Sequence, residues 1–348
     1  MGIGRRSFLR LTGAALAAPA TLRAGFAQAP DVTLKLHHAL PPIAGIHTRL
    51  LVPWAKKIEQ DSGGHLKIVI YPSMQLGGTA RALYDQARDG AADIVWTAPG
   101  SMSERFPGIE TLELPFVADR HGVANARAAH DFYEKDLRDE FKDVRPLAVC
   151  ATDGGVIHSI RPVKSLDDVK GLKLRPPTRL AGETLKAVGA HPIAAPLSQV
   201  GDLLANKIAD GCIVRWEAAP AIRAGELTKF HAVFEAPTFT ATAFLLAMNK
   251  PRYDGLPADL RRVLDQNSGQ AFAANAGAMF DEQAVFVAEA VRKRGHTLSE
   301  FSGHDMQRWR KATEPALHTW LKQMSERGLN GEKLLADAKV AVAKYAGT

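Results

Sequence analysis

Apolar and polar positions repeat with two periods along this chain, and the switches between them mark out its elements. Val32-Thr-Leu-Lys-Leu36 alternates residue by residue, as a half-buried strand does. Residues 45–62 then carry Leu50, Leu51, Trp54 and Ile58 at helical spacing and end at Gly63-Gly64; Pro53 belongs in the first turn or at a kink. His65 to Tyr71 reads as a second strand, stopped by Pro72. Gly77-Gly78 opens a helix that runs to Gly90, and Asp93 to Thr97 reads as a third strand. This βαβαβ rhythm predicts a sheet covered by helices on both faces.

The rhythm restarts further on. Residues 122–142 read as helix and Leu147 to Ala151 as strand; Gly154-Gly155 follows. Ser165 and Asp168 have capping-box spacing. Leu172 to Arg175 is a short strand ended by Pro176-Pro177; helices are predicted over 179–188 and 199–208, with a strand at Gly211 to Arg215. A long apolar strand returns at Ala243 to Met248, and beyond Leu256 the pattern is almost all amphipathic helix. Two α/β lobes without a flexible linker imply that the chain crosses between them more than once, which makes a hinge with a cleft between the lobes.

Composition narrows the functional classes. The 348 residues carry 44 Lys and Arg against 37 Asp and Glu, a net charge of +7. Arg5-Arg6, followed by Ser7-Phe8-Leu9-Arg10, an Ala-rich stretch and small residues up to Ala29, reads as a twin-arginine export signal, cleaved after Ala27. Its apolar run is shorter than the roughly 20 residues a membrane span needs. The four arginines within 1–29 leave with it, and no acid does, so the charge falls from +7 to +3. That balance argues against a nucleic-acid partner. Cys150 and Cys212 are expected to be buried thiols, and no cysteine–histidine spacing suggests a metal.

Six strings in order carry a resemblance: Tyr71-Pro-Ser-Met-Gln-Leu-Gly77, Asp89-Gly-Ala-Ala-Asp-Ile94, Leu112-Glu-Leu-Pro-Phe116, Lys170-Gly-Leu-Lys-Leu-Arg-Pro176, Val188-Gly-Ala-His-Pro192 and Ala209-Asp-Gly211. Over nearly the whole mature chain the sequence resembles the periplasmic solute-binding proteins of TRAP transporters, the DctP family. The resemblance implies a two-lobed, type II-like periplasmic binding protein with mixed sheets flanked by helices. It implies three inter-lobe crossings, one of them a long helix near 260–290. Lobe I is expected at 30–152 plus 241–279, and lobe II with the C-terminal helices at 153–240 plus 280–348. The expected function is a monomeric periplasmic receptor that hands a carboxylate to the small and large membrane subunits of a permease driven by an ion gradient.

By the same resemblance Arg175 grips the carboxylate of the ligand. A guanidinium there can donate two parallel hydrogen bonds, which a lysine cannot. Further ligand-binding candidates are Trp96 and Thr97 at the end of a first-lobe strand, Thr178 after the arginine, Trp216 and Glu217 after the Ala209-Asp-Gly211 string, and Phe239 near the return crossing. Each has a plainer reading. Trp96 and Phe239 suit a core, and Glu217 suits an ion pair with Arg215 or Arg223. Gly155 and Val214 stand where some members have a second arginine and an asparagine. One arginine clamp with several aromatic candidates favours an aromatic or branched monocarboxylate, a 2-oxo or 2-hydroxy acid; a C4-dicarboxylate is the alternative. Glu217 is also a candidate for holding a bridging cation. Other transporter or sensor receptors share this physics. An enzyme is not expected: the Gly pairs lack phosphate-loop spacing, and there is no G-x-S-x-G elbow or HExxH. No cofactor is expected.

Overall fold

The computed structural model describes residues 31–102 and 104–347. The export signal read at 1–29 lies outside the described residues. Among the described residues eleven strands form two sheets: β1 Val32–His38, β2 Leu66–Tyr71, β3 Ile94–Thr97, β4 Arg145–Ala151, β5 Val156–Ser159, β6 Lys173–Arg175, β7 His191–Pro192, β8 Gly211–Val214, β9 Phe230–Phe234, β10 Ala243–Met248 and β11 Thr297–Phe301.

The first-lobe sheet has the order β2-β1-β3-β10-β4. Its first three strands are parallel, and β10 returns antiparallel between β3 and β4. All six residues of β10 are buried, as an apolar run covered on both faces must be. Its side chains divide by alternation. Phe244, Leu246 and Met248 enter one core layer with Trp96 and Trp54; Ala243, Leu245 and Ala247 enter the other with Tyr84 and Phe141. The second-lobe sheet, β11-β9-β5-β8-β6-β7, is also mixed.

The chain passes between the lobes after β4, again between β9 and β10, and a third time as the 25-residue helix Gly269–Lys293. Phe272, Ala276 and Phe280 of that helix pack in the first-lobe core, whereas Val287, Ala288 and Val291 pack in the second. Helix Gly303–Glu326 joins the lobes as well. Met306 and Trp309 sit in a second-lobe core, and Trp320 and Met324 in a first-lobe core. The last helix, Gly331–Tyr345, was expected with the second lobe; it packs on Gly122–Phe132 in the first.

Local chemistry accounts for the boundaries. The helix predicted over 45–62 begins as a π-helical segment, Ile46–Leu51, and becomes α-helical at Val52–Asp61 with Pro53 in the first turn of the α-helical part. Pro53 thus sits where the π-helical segment gives way to α-helix, a break in the hydrogen-bond ladder that suits a residue with no N–H. Gly90 ends its helix in the left-handed conformation at φ 79°. Ser165 and Asp168 make the capping box. Among the described residues no helix is long and apolar enough to cross a membrane.

Candidate ligand-binding site

Arg175, the last residue of β6, is 5% exposed. Its Nε donates to Ala195 O at 2.9 Å. Among the described residues no carboxylate lies within ion-pair distance of it, and burial followed by repulsion from Arg215 draws its pKa down to about 10. A buried cation without a countercharge is costly, and such a group is a candidate for an anion supplied from outside.

Arg215 follows β8 and is itself buried. It pairs with Glu217 at 2.7 Å. Its guanidinium lies over the rings of Phe244 at 5.1 Å and Phe280 at 5.7 Å. Phe244 stacks on Trp96, with centroids 4.9 Å apart and planes 18° from parallel. Trp96 Nε1 is buried with no hydrogen-bond partner among the described residues. Arg215 of the second lobe therefore meets a short stack of first-lobe aromatic rings, with Arg175 near enough to repel it. Asp153, on the first crossing, is buried nearby; burial holds its carboxyl well above its ordinary range, against the pull of Arg215.

The structure brings some of the candidates together and separates others. Trp96 and Glu217 meet through Phe244 and Arg215, and Arg175 lies near enough to Arg215 to be repelled by it. Thr97 is buried at the end of β3, opposite Leu245. Thr178 caps helix Arg179–Ala187 by accepting from Ala181 N–H at 3.3 Å, and its hydroxyl faces the buried Glu113 of the first lobe. Glu217 Oε1 accepts from Ile46 N–H at 2.8 Å, so this carboxylate is engaged on both sides. Trp216 packs against His158 and His231, 5.0 and 5.2 Å away, and lines a cavity of about 540 Å³ between the crossings, β9 and helix Gly269–Lys293. Phe239 is fully buried in an aromatic cluster with Phe116, Phe234 and Trp309. Arg179 pairs with Glu110 of the first lobe at 2.9 Å.

Sequence reasoning missed Phe244 and treated Arg215 only as an ion-pair partner. Phe244 had no separable signal, because it sits in an unbroken apolar strand. Arg215 had one, being an arginine two residues before an acid at the end of a buried strand. His37 and His38 bond to Gln86 and His47. Among the described residues no group of three or more His, Cys, Asp and Glu side chains could hold a metal ion. Cys150 and Cys212 are both buried and free.

Two α/β lobes, repeated chain crossings between them and a buried arginine without a countercharge among the described residues define a two-lobed solute-binding protein. The chain matches the family described as bacterial extracellular solute-binding protein, family 7 (DctP), over residues 36–323, and it belongs to that family. Solved structures agree. A TRAP solute-binding protein from Rhodoferax ferrireducens, in complex with copurified benzoate, is 35% identical with a TM-score of 0.86; the match covers 90% of this chain and 98% of that one. A marine-metagenome TRAP solute-binding protein specific for aromatic acid ligands, holding 3-hydroxybenzoate, is 35% identical with a TM-score of 0.88, covering 91% and 100%. A TRAP periplasmic solute-binding protein from Bordetella bronchiseptica, with bound (R)- and (S)-mandelate, is 26% identical with a TM-score of 0.81, covering 90% and 99%.

Proposed function

We propose that this chain is the extracytoplasmic receptor of a TRAP transporter for an aromatic monocarboxylate. The single observation that carries this reading is Arg175, a buried guanidinium for which the described residues supply no anion. A carboxylate entering the cleft provides the missing charge and takes two parallel hydrogen bonds. Arg215 does not make the site dicationic, because Glu217 neutralises it. One net positive charge suits one carboxylate, which favours a monocarboxylate over a C4-dicarboxylate. Glu217 is committed to Arg215 and Ile46, which argues against a cation bridge held by that side chain.

The aromatic preference rests on the stacked Trp96 and Phe244 beside the arginines, and on the benzoate, 3-hydroxybenzoate and mandelate held by the three similar proteins. Mandelate is also a 2-hydroxy acid, the class read from the sequence. The N-terminal Arg5-Arg6 pattern supports export by the twin-arginine route, and the family supports delivery to a small and a large membrane subunit.

A thermal-shift panel on the mature chain tests the reading. Benzoate, 3-hydroxybenzoate and mandelate are expected to raise the melting temperature. Succinate, malate, amino acids and sugars are expected to leave it unchanged. At a hundredfold excess over its Kd a ligand adds about 2.7 kcal/mol, a shift of several degrees. Stabilisation by succinate with no response to any aromatic acid would sink the proposal.

A further inference from the structure

The Arg215–Glu217 pair belongs to the second lobe, yet both of its side chains touch the first. Glu217 Oε1 accepts from Ile46 N–H at 2.8 Å. That N–H is one of the donors left without a partner at the start of the helical run from Ile46 to Asp61. The carboxylate also lies at the positive end of the run's aligned peptide dipoles. Arg215 holds the other carboxylate oxygen at 2.7 Å and spreads over Phe244 of β10.

Gly45 completes the contact. Its φ of −58° is open to any residue, so backbone freedom does not call for glycine here. Space does. A Cβ at this position would lie 2.7 Å from both Cγ and Oε1 of Glu217.

We infer that Glu217 and Gly45 form an inter-lobe latch, in which positioning residues that need not touch the solute set how long the closed cleft holds it. The inference rests on the receptor reading above. The pairing explains how a latch can be built from a charge. Glu217 and Arg215 lie two residues apart on one loop, so they stay paired when the lobes separate. Only the bond to Ile46 and the ring contact break. Closing therefore buries an ion pair already formed, which avoids the large penalty of desolvating a lone carboxylate.

The test uses the mature protein with dyes on Lys56→Cys and Asp202→Cys, exposed positions in opposite lobes. The native thiols are buried and leave the labelling to these sites. Energy transfer between the dyes reports closure, and the benzoate dissociation rate reports residence. Gly45→Ala is expected to speed dissociation about tenfold, the effect of losing one hydrogen bond to a charged group, and to shift saturated protein toward the open state. In an Arg215→Met/Glu217→Ala background, which removes both charges together, Gly45→Ala is expected to add nothing further. Equal effects with and without Glu217, or none at all, would overturn the latch.

The ligand-free protein separates failure of the latch from failure of the receptor reading. If the parent binds no aromatic carboxylate, that reading falls. The latch still predicts a smaller closed fraction in Arg215→Met/Glu217→Ala than in the parent without any ligand, and an unchanged fraction would overturn it.

Discussion

Replacing Arg175 with methionine separates a ligand anchor from a structural arginine, because the two roles predict opposite effects on the unliganded protein. The arginine is 5% exposed, its Nε bonds to one neutral acceptor, Ala195 O, and a second cation stands nearby. Burial draws its pKa from 12.5 down to about 10, so the unliganded fold disfavours the charge. That fall corresponds to ~3 kcal/mol of unfavourable electrostatics in the unliganded fold. Methionine keeps much of the apolar stem and removes the charge, so the unliganded variant should melt at the same temperature or a few degrees higher. Binding should collapse. Two charge-assisted hydrogen bonds contribute about 1.5–3 kcal/mol each, so losing both weakens affinity roughly 10²- to 10⁴-fold. Calorimetric titration with benzoate and a melting curve without ligand, on the same preparations, read both quantities. An Arg175→Met protein that binds benzoate like the parent, or that melts many degrees lower without ligand, would refute the reasoning.

Three further outcomes follow from buried groups. Burial raises the Glu113 carboxyl to about 8, so between pH 4.5 and 8 the folded chain keeps a proton that the unfolded chain has lost. Its contribution is full below about 4.5 and is lost as pH rises, at up to about 1.4 kcal/mol per pH unit; Glu113→Gln should gain on the parent from pH 5 to 8, and parallel melting curves would contradict this. His231 is held down to about 4 by burial and by His296, and burial also keeps its partner His158 well below 6.5. Their contribution is full above about 6.5 and is lost as pH falls toward 4, so His231→Asn should lose about 2 kcal/mol less than the parent between pH 7 and pH 5; an identical loss in denaturant titrations would count against the buried neutral pair. Phe239→Ala should cost about 3–5 kcal/mol of stability by opening a void beside Trp309 and Phe234; a loss under 1 kcal/mol with a hundredfold loss of affinity would instead place Phe239 against the solute.

Much of the first lobe was legible because its elements carry strong local signals. The Val32 alternation became β1, the Ala243 run became β10, and the pattern to Gly90 became a helix closed by a left-handed glycine. The second-lobe strands were harder. Val156–Ser159 is four residues long with all four buried, and Phe230–Phe234 and Thr297–Phe301 mix aromatic, polar and charged residues without clean alternation. Strand order depends on pairings between segments far apart in the chain, which no local pattern encodes. The site shows the same division. Arg175 could be read from a motif, whereas the partners of Glu217 could not. Ile46 lies 171 residues away and contributes only its backbone N–H, a group that every non-proline residue has. Trp216 lines a cavity, and its ring also packs against two histidines that only the fold brings beside it.

Helix Gly303–Glu326 carries one tryptophan into each core: Trp309 into the second lobe and Trp320 into the first. A chain built this way has no independent halves. Melting either lobe strips the other of a buried indole, so heat should denature the molecule in one sharp calorimetric step despite its two sheets. A protease nick in the loop at Gly328 would leave this splint in place, whereas a chain ending before Gly303 would lack a buried indole in each lobe. The two lobes are thus a single unit of folding.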